Sequence, residues 1–316
     1  MTPDLLSNTT VLLTGATGFL GAHIAERLLE LPNCKLIALK RRSSDTWRCN
    51  EFTHQIVWIN LDDEDWRQQV SNYNISVVIH AAWNGVAAGD RLAWASQLDN
   101  LNLVQQLLEL SKNMGIEKFI GLGSQAEYGT FSGIVDENAP ANPNTAYGTV
   151  KLMALQLVRS FCTEAGINWY WLRLFPLFGE KEDTNWLLPS VIKNMYNGTP
   201  MDLTPGMQRY AYLYVKDFAE MMGAIVNSDK AESGIFNISS SEAITLKYLV
   251  EQIRNHVNPD VALNFGALPY RSYQTMHMEG NMSRFKTVFG QPRVTSFNES
   301  LTNTITYFLN RVKIDG

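Results

Sequence analysis

Tyr147 and Lys151 stand four residues apart in the run Tyr-Gly-Thr-Val-Lys. On a helix this spacing places both side chains on one side, one turn from each other. An unperturbed tyrosine ionises near pH ~10, and a neighbouring positive charge favours the phenolate and lowers its pKa. The phenol is then able to exchange a proton near neutral pH. By itself this spacing favours an ordinary pair on a helix surface, and the prediction of an acid/base pair depends on the segment around Ser124.

A third candidate, Ser124, comes directly after a predicted strand over 118–123. The end of that strand lies at the carboxyl edge of a parallel sheet, where ligands bind in open α/β folds. A hydroxyl there donates a hydrogen bond to a substrate carbonyl oxygen while Tyr147 supplies or takes the proton. The predicted catalytic residues are therefore Ser124, Tyr147 and Lys151.

A glycine-rich run, Thr-Gly-Ala-Thr-Gly-Phe-Leu-Gly, covers 14–21 between a predicted strand and a predicted helix. Glycines at this spacing let the chain turn tightly and let backbone N–H groups approach a pyrophosphate. The N-terminus of the helix then faces the phosphates with the positive end of its dipole. We predict a dinucleotide-binding loop whose contacts come from Gly15, Thr17, Gly18, Phe19 and Leu20.

The second predicted strand ends in Lys40, Arg41 and Arg42, where a fold that prefers NAD usually has an acidic residue for the ribose hydroxyls. Guanidinium groups pair with a 2′-phosphate through bidentate, charge-assisted hydrogen bonds. These residues favour NADP(H) as the cofactor, and a solvated basic loop without a ligand is the alternative. Asn60 and Leu61, at the end of the third predicted strand, are predicted to contact the adenine.

Composition sets limits on partners and location. The 316 residues are 45% hydrophobic and 18% charged, as in a soluble globular protein, and the net charge of −5 argues against a nucleic-acid partner. Because no apolar run reaches the ~20 residues of a membrane span and the first ten residues lack a secretory pattern, we expect a cytoplasmic protein without membrane insertion. The three cysteines are scattered, without metal spacing, so we predict reduced thiols and no metal.

The elements that position these residues alternate along the first half of the chain, as in a parallel sheet covered on both faces. Strands are predicted over 10–14, 35–40, 55–60, 76–80, 118–123 and 169–174, and helices over 19–30, 63–71, 90–113 and 145–165. The fold class is α/β, a Rossmann-type doubly wound parallel sheet with a smaller mixed α/β substrate-binding lobe. We assign 1–175 to the NADP-binding domain and 176–316, a proline-punctuated stretch with a strand-like run over 210–215, to the substrate lobe. The segment 209–232 is expected to pack back onto the first domain.

In its motifs the chain resembles the extended short-chain dehydrogenase/reductase family, and within it the nucleotide-sugar epimerases, dehydratases and reductases. The matching residues are 14–21, 80–82, Asn100, Ser124, 128–129, Pro143, Tyr147, Lys151, 173–179, 212–217 and 268–271. The resemblance implies that Tyr147 is the acid/base, that Lys151 binds the nicotinamide ribose, and that Ser124 orients the reacting oxygen. It also implies further cofactor contacts from Ala81, Ala82, Asn100 and Phe175. A homodimer formed by the helices at 90–113 and 145–165 is expected on the same ground.

Departures of this chain from the family pattern narrow the choice among dehydration, epimerisation and reduction. Dehydratases of this family usually carry an Asp-Glu pair just after the catalytic Ser or Thr, where this chain has Gln125 and Ala126. Epimerases hold NAD tightly and tend to have the acidic ribose anchor, which Arg41 and Arg42 replace. The resemblance thus points to NADPH-dependent reduction at C4 of a nucleotide-linked 4-keto-6-deoxysugar for surface polysaccharides. A 4-epimerase with bound NAD and a non-catalytic NADP-binding regulatory protein are the alternatives.

A nucleotide-diphosphate sugar requires cations and a polar pocket. By the resemblance, Arg271 and Arg209 are candidates for the diphosphate, although Ala211 stands where the family commonly has Asp, and a solvated loop arginine is the alternative at 271. Trp83 and Asn84 either line the sugar pocket or form packing at the nicotinamide side. Gln125 completes the predicted substrate contacts.

Overall fold

The computed structural model describes residues 9–87, 89–229, 232–270 and 274–315. Its strands, in chain order, are β1 (Thr9–Thr14), β2 (Cys34–Lys40), β3 (Val57–Asn60), β4 (Val77–His80), β5 (Lys118–Ser124), β6 (Gly133–Val135), β7 (Asn168–Leu174), β8 (Leu177–Phe178), β9 (Met201–Leu203), β10 (Arg209–Tyr210), β11 (Leu213–Tyr214), β12 (Gly234–Ile238), β13 (Ile244–Thr245), β14 (Leu263–Phe265) and β15 (His277–Gly280).

The helices pack on both sides of these strands. In chain order they are α1 (Phe19–Leu29), α2 (Trp66–Ser71), α3 (Trp94–Leu98), α4 (Asn100–Met114), α5 (Ala146–Ala165), α6 (Leu187–Tyr196), α7 (Val215–Val226), α8 (Leu246–Val257), α9 (Ser283–Phe289) and α10 (Phe297–Asp315). In the described part of the chain, none of them combines the length and the apolar composition that a membrane crossing requires.

A parallel sheet of seven strands, in the order β12-β7-β5-β4-β1-β2-β3, forms the centre of the molecule. Neighbouring residues of one strand enter different cores, because successive side chains point to opposite faces. Val11 and Leu13 lie in one hydrophobic cluster and Leu12 in the other. Helices α1 and α7 cover the first face, and α2, α4 and α5 cover the second. The predicted doubly wound Rossmann-type sheet is therefore confirmed.

The order of strands reverses between β1 and β4, which pair with each other. Ligands bind in open α/β sheets at this kind of switch point, just beyond the carboxyl ends of the strands. The glycine-rich run follows β1, Ala81 and Ala82 follow β4, and Ser124 ends the adjacent β5. The topology thus gathers the predicted cofactor and catalytic residues at one edge.

The rest of the chain forms the smaller α/β part, with short sheets of four and two strands. Its hydrophobic cluster joins α6, α8 and α10, and includes Ile192, Leu249 and Ile305. The predicted division at residue 175 stays a prediction. The structure adds two facts to it: α7 packs against α1, and the seventh strand of the large sheet, β12, comes from beyond 209–232.

The predicted helix over 90–113 is wrong as one continuous helix. The chain forms a 3₁₀ turn over Asp90–Leu92, then α3, then α4. Amide side chains cause the break, because such groups compete with the backbone for helical hydrogen bonds. Asn100 Nδ2 donates to the carbonyls of Ser96 and Gln97, and Gln97 Nε2 donates to those of Gly85 and Asp90.

Other predicted boundaries also differ. The strand-like run over 210–215 is divided into β10, β11 and the first residue of α7, because β10 pairs with β13 and β15 whereas β11 pairs with β8. The helix over 63–71 begins only at Trp66, and the strand over 55–60 only at Val57, after a 3₁₀ turn over Thr53–Gln55.

Candidate active site

Ser124, Tyr147 and Lys151 come together where β5 ends and α5 begins, and each is more than nine-tenths buried. Thr145 caps α5, because its hydroxyl accepts a hydrogen bond from Gly148 N at 3.1 Å. Gly148 also lets the helix start approach the turn after β5, since a Cβ there would stand 2.4 Å from the Ala126 carbonyl oxygen. This close approach brings Tyr147 to Ser124.

The Lys151 ammonium is held in a buried position between two partners. Its Nζ donates to the Leu122 carbonyl at 2.7 Å and lies 3.6 Å from the centre of the Trp83 ring. Burial lowers the pKa of Lys151 to about 7, although the negative charge of Glu127 opposes the change. The lysine therefore gains or loses its proton near neutral pH.

Burial is also the largest influence on the pKa of the Tyr147 phenol, and it raises that pKa. The Arg91 guanidinium and a hydrogen bond with Ser124 act in the opposite direction. The sequence predicts that Lys151 lowers the pKa of Tyr147, and the structure contradicts this. Removing the phenolate from water destabilises it more than the nearby positive charges stabilise it. Two cations lie near the ring, Arg91 with Cζ 4.9 Å and Lys151 with Nζ 5.9 Å from the ring centre.

Glu127 is a fully buried carboxylate that fixes the position of Ser124. Its Oε1 accepts from Ser124 N at 2.8 Å and from Trp171 Nε1 at 2.9 Å, and its Oε2 accepts from Arg173 Nε at 2.8 Å. The sequence reasoning missed this residue. The spacing Ser-x-x-Glu from Ser124 to Glu127 is a capping-box pattern, and the structure contains that box.

The glycine-rich run lies directly against the residues that follow β4. Gly15 has φ +78°, and a Cβ there would stand 2.6 Å from Ala82 N and 2.8 Å from the Ala81 carbonyl carbon. Gly21 is equally crowded, with a Cβ position 2.0 Å from the Gly15 carbonyl oxygen. Gly18 N donates to that same oxygen at 2.9 Å. The backbone is therefore close-packed at the start of α1, as a dinucleotide cradle requires.

The other predicted residues of this run have structural contacts of their own. The Thr17 carbonyl accepts a hydrogen bond from Arg48, another residue that the sequence reasoning missed. Leu20 packs against the core under α1, and the Phe19 ring meets His23 edge-on, with 5.8 Å between centroids.

At the end of β2 the two arginines differ in their partners. Arg42 forms an ion pair with Asp63, with 2.5 Å between Nη2 and Oδ1. Arg41 donates to Asn84 Oδ1 at 2.8 Å, and it has no ion pair within the described residues. Lys40 and Asn60 are register partners, and Leu61 N donates to the Lys40 carbonyl. Asn60 Oδ1 is buried and has no hydrogen-bond partner among the residues that the structure describes.

The segment after β4 joins the predicted cofactor and substrate residues. Asn84 N donates to Asn100 Oδ1 at 2.7 Å, so Asn84 lies between Arg41 and Asn100. Trp83 meets the Tyr147 ring edge-on at 6.4 Å and donates from Nε1 to Gln97 Oε1 at 2.9 Å. The packing interpretation of Trp83 thus has direct contacts in its support.

The remaining predicted cofactor and substrate residues have the following positions. The Phe175 side chain is buried in a cluster with Tyr128, Val135 and Met278. Arg209 Nη2 donates to the Ala243 carbonyl at 3.0 Å. Gln125 begins the 3₁₀ turn after Ser124, and Arg271 lies outside the described residues. The roles of the predicted residues stay predictions.

The chain matches known proteins over most of its length. A model of the NAD dependent epimerase/dehydratase family matches residues 11–239. The dTDP-6-deoxy-L-talose 4-dehydrogenase (NAD(+)) of Aggregatibacter actinomycetemcomitans is 26% identical over 278 residues, which are 85% of this chain and 98% of that protein. CDP-abequose synthase of Salmonella muenchen is 26% identical over 280 residues, 87% of this chain and 90% of that protein.

Among solved structures, the fold is similar to UDP-N-acetylglucosamine 4-epimerase from Methanobrevibacter ruminantium M1 in complex with UDP-N-acetylmuramic acid. The TM-score is 0.87 at 23% identity, with 97% of this chain and 100% of the other covered. The family model, which matches more than half of the chain, confirms the family resemblance predicted from the sequence, and the solved structure shows the similarity of the fold.

The lowered pKa of Lys151 predicts a pH-dependent contribution to stability. Between about 7 in the folded protein and 10.5 in the unfolded chain, only the unfolded chain binds the proton, so this contribution rises with pH. We expect wild type to gain stability relative to Lys151→Met from pH 7 to 10, by at most about 1.4 kcal/mol per pH unit. Urea unfolding at several pH values measures this, with Lys112→Met on the surface as control. A difference that does not change with pH would contradict the buried, titrating amine.

Proposed function

The chain belongs to the NAD dependent epimerase/dehydratase family, and on that premise we propose that it reduces the C4 ketone of a nucleotide-linked 4-keto-6-deoxysugar with NADPH. The observation that carries the proposal is the buried group of Ser124, Tyr147 and Lys151 beside the switch point of the sheet. The two relatives described above support the nucleotide-sugar part of the proposal, since the names of both refer to nucleotide-linked sugars.

In the proposed reaction Tyr147 gives its proton to the oxygen at C4 of the sugar. The Ser124 hydroxyl accepts a hydrogen bond from Ala126 N, so its own proton is available for the Tyr147 or the substrate oxygen. When bound, the nicotinamide ring supplies the two electrons and the hydrogen that reduce the carbon. We assign the cofactor contacts to the loop at 15–20, to Arg41, Asn60 and Lys151.

The absence of an acid pair after Ser124 supports reduction over dehydration. Removing water from C5 and C6 of a sugar requires an additional base and acid. Gln125 and Ala126 occupy those positions, and neither side chain ionises.

A 4-epimerase is the second candidate, because the Asp63 carboxylate already neutralises Arg42, which weakens the argument for a 2′-phosphate. The two reactions differ in their use of cofactor. A reductase consumes one reduced cofactor per turnover, whereas an epimerase interconverts two sugars without net consumption.

The function is tested by following the absorbance of reduced nicotinamide with 4-keto-6-deoxy sugars linked to CDP, dTDP, GDP and UDP. We expect substrate-dependent oxidation of NADPH, and we expect Tyr147→Phe to lower kcat by roughly 10²- to 10⁴-fold because the proton donor is removed. Tyr248→Phe, at an exposed tyrosine, is the control. Without oxidation by any of the four substrates, the reductase is excluded, and epimerisation of 4-hydroxy sugars is assayed next.

The use of NADPH is tested at the two arginines. A hydrogen bond to a charged group contributes about 1.5–3 kcal/mol. Arg41→Ala should therefore raise KM for NADPH by roughly tenfold to hundredfold and leave KM for NADH nearly unchanged. Arg42→Ala is the matched control and should have a smaller effect, because Arg42 is already paired with Asp63. Equal effects of Arg41→Ala on both cofactors would count against a 2′-phosphate contact.

We also propose a homodimer formed through α3 and α5. Each helix exposes apolar side chains four residues apart, Trp94 and Leu98 on α3 and Met153 and Leu157 on α5, and the two helices are in contact. Leu157→Glu should convert the dimer to monomers, since a buried unpaired charge is unfavourable. Sedimentation at micromolar concentration measures this, with Leu268→Glu as the exposed control. A wild-type monomer under these conditions would refute the dimer.

A further inference from the structure

Arg91 places a cation against the face of the Tyr147 ring. Its Cζ lies 4.9 Å from the centre of that ring and 6.0 Å from the centre of the Trp186 ring, so the guanidinium stands between the catalytic phenol and the start of α6. Its Nε donates to the Val86 carbonyl at 2.9 Å. Within residues 9–87, 89–229, 232–270 and 274–315, no carboxylate forms an ion pair with it.

The backbone that carries Arg91 is fixed from inside the protein. Gln97 is fully buried, and its Nε2 donates to the carbonyls of Gly85 and Asp90 on either side of the connection from β4. The same amide accepts the Trp83 indole N–H. The 3₁₀ turn that carries Arg91 is therefore held in place by the Gln97 side chain, and this turn places the Arg91 guanidinium against Tyr147.

The groups facing Tyr147 come from three elements besides its own helix. Arg91 approaches from the 3₁₀ turn at 90–92, Trp83 from the end of β4, and Ser124 and Glu127 from the end of β5. Lys151, one turn along α5, has Nζ 5.9 Å from the ring centre and bonded to the Leu122 carbonyl.

The two cations beside Tyr147 differ in how they respond to pH. Lys151 loses its proton near neutral pH, as described above, and it faces His80, which burial keeps neutral by lowering its pKa to about 3. A guanidinium is not deprotonated in proteins. Arg91 is thus the positive charge that persists beside the phenol once Lys151 becomes neutral.

We propose that Arg91 is a positioning residue for proton transfer, whose guanidinium stabilises the negative charge on the Tyr147 oxygen after the phenol has given up its proton. The inference rests on the proposed function, in which Tyr147 is the proton donor. In that step the phenol O–H bond breaks and an O–H bond forms on the oxygen attached to C4 of the sugar, while the bound reduced cofactor would supply the hydride to C4 itself. A proton from solvent later restores the phenol.

The test follows the ionisation of residue 147 without any turnover. A fluorinated tyrosine, whose phenol ionises at lower pH than tyrosine, is incorporated at 147, and its ¹⁹F signal is titrated in the wild-type background and in variants. We expect Arg91→Gln to move the midpoint upward by at least about one pH unit, a tenfold lower phenolate fraction at a given pH. Arg91→Lys, which keeps the charge, should move the midpoint less.

A matched control is available at Arg67, whose Cζ lies 4.9 Å from the Trp66 ring centre on the distant α2. Arg67→Gln should leave the midpoint unchanged. Arg91→Met is measured beside Arg91→Gln, so that the result does not depend on one variant folding. A midpoint equal to wild type in a folded neutral variant overturns the proposal. Because this readout requires no substrate, its failure is distinguishable from the failure of the reductase assay.

Discussion

The buried ion pair between Glu127 and Arg173 is the interaction on which the geometry of the site depends. Both side chains are almost fully inaccessible, and Glu127 accepts three hydrogen bonds, one of them from the backbone of Ser124. Removing one partner of such a pair leaves an uncompensated buried charge, which costs about 3–5 kcal/mol. The pair therefore fixes the end of β5 far more strictly than an exposed turn would be fixed. The pair thereby fixes Ser124. It also fixes the start of α5, because Gly148 packs against the Ala126 carbonyl.

The sequence of β5 follows from the same cluster. The Trp171 indole on neighbouring β7 lies across β5, and a Cβ on Gly121 or Gly123 would stand within 2.5 Å of it. Side chains are absent at these positions because the indole fills their space, and its N–H is then directed at Glu127. The run Gly-Leu-Gly-Ser is thus a packing requirement as well as a motif. The Trp171 side chain thus links the interior of the sheet to Ser124 at its edge, through their shared hydrogen-bond acceptor Glu127.

Sequence reasoning succeeded where the physical cause is local. The helix that carries Tyr147 and Lys151 one turn apart and the position of the glycine-rich run after β1 depend on local sequence, and the alternation of short apolar runs with helix-period segments predicted the parallel sheet. It failed for residues placed by distant contacts. Glu127 meets Arg173 46 positions away, and Arg91 meets Tyr147 from another element. The break between α3 and α4 arises from the amides of Gln97 and Asn100, whose partners no periodicity reveals. The direction of the pKa shift of Tyr147 depends on burial, and the spacing of residues in the sequence does not indicate burial.

Burial has opposite consequences for the pKa values of Lys151 and Tyr147, the pair proposed to be catalytic. By excluding water it lowers the pKa of the Lys151 ammonium and raises that of the Tyr147 phenol, so both are held toward their neutral forms. A site built only from this pair would destabilise the phenolate that the proposed proton transfer would leave on Tyr147. The same exclusion of water strengthens any fixed charge that remains nearby. The connection from β4, held by the buried Gln97 amide, supplies such a charge at the face of the ring. The buried Tyr147 and Lys151 side chains and the permanently charged Arg91 therefore have complementary effects. Water is excluded by the packing around β5 and α5, whereas the positive charge comes from the connection after β4.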